Sequence, residues 1–291
     1  MEKIWVTAAA NSASPVRICP SERTAESVPV VLIVPGVGVP AAYYELYARG
    51  LAAAGIHAAI AELRGQGESR DPGGSYGYHT IASSDLPAAV AAVSNRFPRS
   101  PVFLLGHSVG GQLATLCAAR GEARLRGLVL IASGTNYHRS YPRWFVPGLL
   151  MTANSPVLGA TKLARTTVLG AFGRHSPTFR ADWSRLVYSG RFTCADADVD
   201  YEEAVAAMRL PVLAICVRED RLAPRAAVEH LVAKMSAATV TRWQEPIAGH
   251  NGWIRDFRAS VERIGEWIAE TAGTPGEFDV LSPHSPRKDD R

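Results

Sequence analysis

Cysteine is scarce in this chain: Cys19, Cys117, Cys194 and Cys216 are scattered without metal-ligand spacing. That pattern excludes a disulfide-stapled scaffold. Cys117 and Cys216 fall in apolar segments expected to be buried, so all four read as reduced thiols. Long apolar runs are also missing, since no window approaches the roughly 20 apolar residues of a membrane-spanning helix. Met1-Glu2-Lys3-Ile4-Trp5 lacks the basic stretch followed by an apolar stretch that marks a secretory leader. The expectation is a cytoplasmic protein without a stable membrane anchor. Charge of one sign does not dominate, because 31 Lys and Arg against 27 Asp and Glu leave +4, mostly as dispersed arginines. A basic block interleaved with aromatics is absent, which argues against nucleic-acid binding. Neither G-x-x-x-x-G-K-[ST] nor G-x-G-x-x-G leading into a helix occurs, and no organic cofactor or metal is implied.

What is present is an ordinary globular composition. With 291 residues, 47% apolar and 20% charged, the chain can form one large α/β domain or two small ones. Segments 4–8 and 16–19 read as an antiparallel hairpin. Strand and helix patterns then alternate. Strands are expected at 29–34, 57–63, 101–105, 128–132, 211–217 and 239–243, and helices at 41–54, 84–97, 110–120, 226–235 and 260–271, with Pro87 in the first turn of its helix. Strands joined by helical crossovers predict an α/β fold with a mainly parallel, doubly wound sheet and a ligand crevice outside the strands' carboxyl ends.

The alternation breaks between 135 and 208. That interval holds Trp144, Phe145, Phe172, Phe179, Trp183, Tyr188 and Phe192 among arginines and prolines, and it is too long for a simple connection. The expected organisation is a core from 1–134 and 209–272, an inserted helical lid from 135–208, and a tail over 273–291 rich in Pro, Gly and mixed charge.

Chemistry concentrates at Gly106-His107-Ser108-Val109-Gly110-Gly111, between the apolar run 101–105 and the helix-forming run 110–120. Such a strand-turn-helix context for G-x-S-x-G describes a nucleophile elbow, with Ser108 on the sharp turn and a helix N-terminus behind it. A serine hydroxyl is a weak nucleophile and needs a base, which in turn needs a partner to fix its tautomer. Asp220 or the adjacent Glu219 follows strand 211–217, and His250 follows strand 239–243 in a glycine-flanked loop. The other histidines lie in strands, helices, the elbow, the lid or the tail. A tetrahedral oxyanion also needs donors: the Val109 amide lies directly after Ser108, and Val37 lies in the glycine loop Pro35-Gly36-Val37-Gly38-Val39 after strand 29–34.

Taken together, PGVGVP, the Arg64-Gly65-Gln66-Gly67-Glu68-Ser69 segment, the GHSVGG elbow, the Asp220 region and Gly249-His250 resemble the α/β-hydrolase superfamily from about 29 to 271. RGQGES is similar to the R-G-x-G-x-S turn of lipase-like and aminopeptidase-like members. Segment 131–137 and YYELYARGLAAAG resemble a group of bacterial hydrolases of unassigned substrate. The order Ser, Asp, His is that of the superfamily, and Asp220, four residues before Pro224, matches its pattern better than Glu219. The chain departs from many relatives in having Pro35-Gly36 where they carry His-Gly. It also has Ser108 where haloalkane dehalogenases and epoxide hydrolases carry aspartate.

This resemblance implies a serine esterase with the triad Ser108, Asp220 and His250, and with Val37 and Val109 in the oxyanion hole. It would cleave a carboxylic ester or thioester of a small or medium acyl substrate. The same residues would serve an acyltransferase or cyclase, in which an alcohol or amine replaces water. The third reading, a hydrolase-like small-molecule binder without catalysis, is disfavoured by the complete set of three residues. Oligomeric state is not legible in the sequence.

Overall fold

The Val/Leu/Ile run after Pro29 becomes β3 (Val30–Val34), and its side chains alternate between two cores. Val30, Leu32 and Val34 pack on one face of the sheet, Val31 and Ile33 on the other. A strand covered on both faces has no reason to alternate polar with apolar, which is why it reads as a continuous hydrophobic run. The computed structural model describes residues 1–23, 27–71, 73–122, 124–154 and 175–272. The expected tail over 273–291 and Phe172 lie outside the described residues.

Eight strands form one sheet. To β3 are added β1 (Glu2–Thr7), β2 (Ala13–Cys19), β4 (His57–Ala61), β5 (Val102–His107), β6 (Leu125–Ile131), β7 (Val212–Arg218) and β8 (Val240–Ala248), in the spatial order β1-β2-β4-β3-β5-β6-β7-β8. The β1–β2 hairpin is antiparallel and joins β4 antiparallel, while every pair from β4 to β8 is parallel. From β3 the chain steps to β4 on one side and then returns to β5 on the other. The connections that leave the carboxyl ends of the paired strands β3 and β5 therefore run in opposite directions, the kind of reversal at which α/β sheets place their ligands.

Helices cover both faces: α1 (Glu45–Ala53), α2 (Leu86–Arg96), α3 (Val109–Ala119), α4 (Val146–Asn154), α5 (Pro177–Ser189), α6 (Tyr201–Ala207), α7 (Arg225–Val232) and α8 (Arg258–Ala272). Among the described residues no helix is long and apolar enough to cross a membrane.

Two elements differ from expectation. The helix expected over 84–97 begins earlier, with one α turn at Tyr78–Thr80 and a π turn at Ile81–Asp85 leading into α2. Pro87 is thus inside a longer helical run, and the widened turn just before it accommodates a residue with no N–H to give. The strand expected over 239–243 runs on to Ala248, through Gln244-Glu245-Pro246. It is an edge strand whose register slips so that Val217 pairs with Glu245 but Arg218 with Ala248. An edge position with a bulge is where a strand tolerates proline.

Between β6 and β7 the interval 135–208 carries α4, α5 and α6. Phe179, Trp183 and Phe192 are buried in the same core as Leu113 and Leu116 of α3, whereas Trp144 stays 66% exposed. Most of the aromatics that mark this interval in the sequence therefore pack it onto the body.

Candidate active site

β5 ends at His107 and α3 begins at Val109, leaving Ser108 alone on the turn with φ 55° and ψ −125°. For a residue with a Cβ this is a strained conformation, costing on the order of 1–3 kcal/mol. Surrounding interactions hold it: Ser108 N–H donates to Ile131 O at 3.2 Å, and Ser108 O accepts from Gly111 N–H at 3.0 Å and from Ser133 Oγ–H at 2.8 Å. The neighbouring glycines are required for close approach. A Cβ on Gly106 would lie 2.3 Å from Gly111 Cα, and one on Gly110 would lie 2.2 Å from Pro35 O. Since both obstacles are backbone, Gly110→Ala should unfold the elbow or lower Tm by about 5 °C, corresponding to roughly 3 kcal/mol for overpacking in a tight core. A melting curve would test this, and an unchanged Tm would show that the elbow and the β3 loop are not in contact.

The base arrives on the loop after β8. Gly249, with φ 85°, makes the turn, and its N–H donates to Arg218 O at 2.8 Å, tying the loop to the end of β7. His250 Nε2 then lies 3.0 Å from Ser108 Oγ, and Nδ1 lies 2.8 Å from Asp220 Oδ2. A carboxylate only accepts, so Nδ1 carries the hydrogen and Nε2 is left free to accept from the serine. The other oxygen, Asp220 Oδ1, accepts the Leu222 and Ala223 N–H groups at 2.8 and 3.0 Å. Glu219 points elsewhere: its side chain is 74% exposed beside Arg218, while that of Asp220 is fully buried. Of the two acids open in the sequence, the structure brings only Asp220 to His250.

The two amides expected as oxyanion donors follow neighbouring strands, Val37 after β3 and Val109 after β5. Val109 N–H is the first amide of α3 and has no preceding turn to bond. On the β3 loop, Gly36 N–H donates to Tyr44 Oη at 3.0 Å, and Gly38 N–H donates to Gln66 Oε1. Between them, Val37 N–H has no acceptor among the described residues. The flanking amides are fixed while the one in the middle stays available.

A family model described as serine aminopeptidase, S33, matches residues 25–180, more than half of the chain. The chain belongs to this family of α/β hydrolases. N-formylmaleamate deformylase from Pseudomonas putida is 28% identical to it over 193 residues, covering 63% of this chain and 68% of that protein. Among solved structures, an esterase from Exiguobacterium antarcticum superposes with a TM-score of 0.64 at 18% identity, covering 92% of this chain and 100% of the other. An esterase from Rhodococcus sp. ECU1013 gives 0.61 at 18% identity, with 93% and 100% coverage.

Sequence reasoning on this hydrolase missed His107, Tyr44 and Trp253. A signal existed for His107: its odd position along β5 puts it on the face of Phe103 and Leu105, toward α1 and α8, and away from α3. Burial, with His250 alongside, pushes His107 well below the usual histidine range of about 6.5. A folded value below the unfolded one makes stability full above pH 6.5 and progressively lost as pH falls beneath it. Tm should therefore drop between pH 7.5 and 5.5 more steeply in the wild type than in His107→Gln (window set by the ordinary histidine value, about 6.5). Equal slopes by calorimetry would show that His107 does not titrate against the fold.

Proposed function

We propose that this hydrolase cleaves the carboxylic ester, or thioester, of a small or medium acyl substrate through an acyl-enzyme on Ser108. The observation that carries the reading is His250 held between Ser108 Oγ at 3.0 Å and Asp220 Oδ2 at 2.8 Å, each on a different ring nitrogen. As Oγ attacks the carbonyl carbon, Nε2 takes its proton, and the carbonyl oxygen becomes an oxyanion facing Val37 and Val109 N–H. Asp220 stabilises the imidazolium and keeps its orientation. The tetrahedral intermediate then collapses: the carbon–oxygen bond to the leaving group breaks, Nε2–H protonates that group, and the acyl group remains on Oγ. Water then attacks the acyl carbon as it gives its proton to Nε2, the carbon–Oγ bond breaks to release the acid, and Nε2–H returns its proton to Ser108 Oγ. No step calls for a metal or an organic cofactor.

A fluorophosphonate probe should label the wild type and not Ser108→Ala, and p-nitrophenyl esters should turn over. Absence of labelling, with no turnover of any ester, would sink the assignment and favour the non-catalytic binder. The relative named for N-formylmaleamate makes an N-formyl amide the next bond to include in the panel, alongside thioesters. Added alcohol or amine acceptors would expose an acyltransferase, because product would shift from acid to new ester or amide.

The interval 135–208 leaves the sheet at the carboxyl end of β6, beside the crevice, which supports its role as a lid over the substrate. Trp144→Ala should then lower kcat/KM for a long-chain ester about fourfold to fifteenfold, as expected when one or two methylenes lose apolar cover, and leave p-nitrophenyl acetate nearly unchanged. Equal losses on both esters would mean that the segment supports the catalytic geometry instead.

A further inference from the structure

The residue before the nucleophile carries a fully buried imidazole, and both of its nitrogens are engaged. His107 Nδ1 lies 2.6 Å from Tyr44 Oη, and His107 Nε2 lies 3.3 Å from the backbone O of His250. Tyr44 Oη also accepts Gly36 N–H at 3.0 Å, and His250 O also accepts Trp253 Nε1–H at 3.1 Å. Only one arrangement of hydrogens satisfies all these atoms. Tyr44 Oη receives the Gly36 hydrogen and has one of its own to give, which must go to Nδ1; the imidazole hydrogen is then on Nε2 and goes to His250 O. In the opposite tautomer Nε2 would set a lone pair against a carbonyl oxygen, and Nδ1–H and the tyrosine hydroxyl would compete for the same space.

The chain of bonds starts on the loop that holds Val37 and ends on the backbone of His250. Gly36 is the residue before the proposed oxyanion donor, and His250 is the proposed base. These two loops follow β3 and β8, which are not neighbours in the sheet, so no ladder bond fixes one relative to the other. The aromatic rings that enclose the relay pack edge to face: Tyr44 on His107 at 5.9 Å and His107 on Trp253 at 5.2 Å between centroids. Gly36 lies close against the imidazole: a Cβ there would come to 3.0 Å from His107 Nδ1, which the ring could relieve only by shifting a few tenths of an ångström.

We infer that Tyr44 and His107 are positioning residues that set the oxyanion loop and the His250 loop at a fixed spacing about Ser108. This inference rests on the catalytic reading given above. The relay touches no substrate, so its loss should leave binding intact while the transition state is held less well. A misplacement of an ångström or so typically costs on the order of 100-fold. Tyr44→Phe keeps the ring and removes both hydrogen bonds. His107→Gln keeps a donor and an acceptor at altered reach.

The test measures kcat and KM for p-nitrophenyl acetate per active site titrated with the fluorophosphonate, together with the inhibition constant of phenylboronic acid, whose adduct on a serine is tetrahedral. Tyr44→Phe is expected to lose about 10- to 100-fold in kcat, to weaken boronate inhibition in parallel, and to change KM less than about threefold. His107→Gln is expected to lose less than Tyr44→Phe. A Tyr44→Phe protein with a lowered Tm but normal kcat and boronate affinity per titrated site would overturn the proposal, leaving the relay as core packing alone. Nitrogen NMR of 15N-histidine-labelled wild type provides a readout independent of the variants' folding. It should show His107 neutral with hydrogen on Nε2 at pH 7, and a hydrogen on Nδ1 would overturn the assignment. Failure of the wild type to label and to turn over ester would instead remove the catalytic reading itself, and the proposal with it.

Discussion

Ser108→Ala is expected to abolish measurable ester hydrolysis, with kcat/KM falling by about a thousandfold or more, while the far-ultraviolet spectrum stays that of the wild type. The loss follows from chemistry alone: alanine offers no oxygen for His250 Nε2 to deprotonate. The retained fold follows from where the hydroxyl sits. Ser108 is placed by its backbone bonds to Ile131, Gly111 and Ser133, and among the described residues its side-chain oxygen bonds His250 alone. Ser108→Gly separates the two effects further. It should be as inactive as the alanine variant, yet its backbone can adopt φ 55° and ψ −125° without a Cβ penalty. Its Tm should therefore exceed that of Ser108→Ala by about 1–2 °C, reflecting about 1–2 kcal/mol of released strain set against glycine's larger unfolded-state entropy. A glycine variant no more stable than the alanine variant would mean that the elbow stores no usable strain. Turnover above a few per cent in either variant would exclude the covalent route.

The parts of this arrangement legible in the sequence share one property: they depend on local pattern. The apolar runs of β3, β5 and β7 announce strands because both faces are covered, and the run from 110 to 120 announces a helix because it is built from good helix formers. Ser108 and His250 are conspicuous because glycines surround them. What stayed hidden depends on tertiary placement. Glu219 and Asp220 are adjacent carboxylates, and the choice between them lies in backbone direction: Glu219 has φ 57° and turns outward, whereas Asp220 turns in beneath the Leu222 and Ala223 amides. The Tyr44–His107 relay joins residues 63 positions apart whose meeting is set by which loops lie side by side. The extension of β8 through Pro246 was masked by a residue that usually ends strands and is tolerated only because β8 is the sheet's edge. Trp183 and Phe192, among the aromatics that set the inserted interval apart, are buried in the body's core and anchor the insertion to it.

Asp220→Asn should lower kcat about 1,000- to 10,000-fold, whereas Glu219→Gln should stay within about twofold of the wild type. The size of the first effect comes from a constraint on which way the amide can face. In the wild type Oδ1 accepts two backbone hydrogens, from Leu222 and Ala223, and that pair of donors cannot be met by an amide nitrogen. Asparagine must therefore keep its oxygen at the Oδ1 position and turn its NH2 toward His250. Nδ1 of His250 then becomes the acceptor, the imidazole hydrogen moves to Nε2, and the nitrogen that should take the Ser108 proton already carries one. Glu219 has no such link among the described residues: its side chain is exposed and lies 3.7 Å from Arg218 Nε. Rates for both variants at pH 7 and pH 9 distinguish this mechanism from loss of folding. Hydroxide can remove the serine proton without the imidazole, so Asp220→Asn should recover part of its activity at the higher pH while its Tm stays close to that of the wild type. A Glu219→Gln variant more impaired than Asp220→Asn would move the acid to Glu219, and an Asp220→Asn variant that is fully active would show that His250 needs no carboxylate to hold its working tautomer.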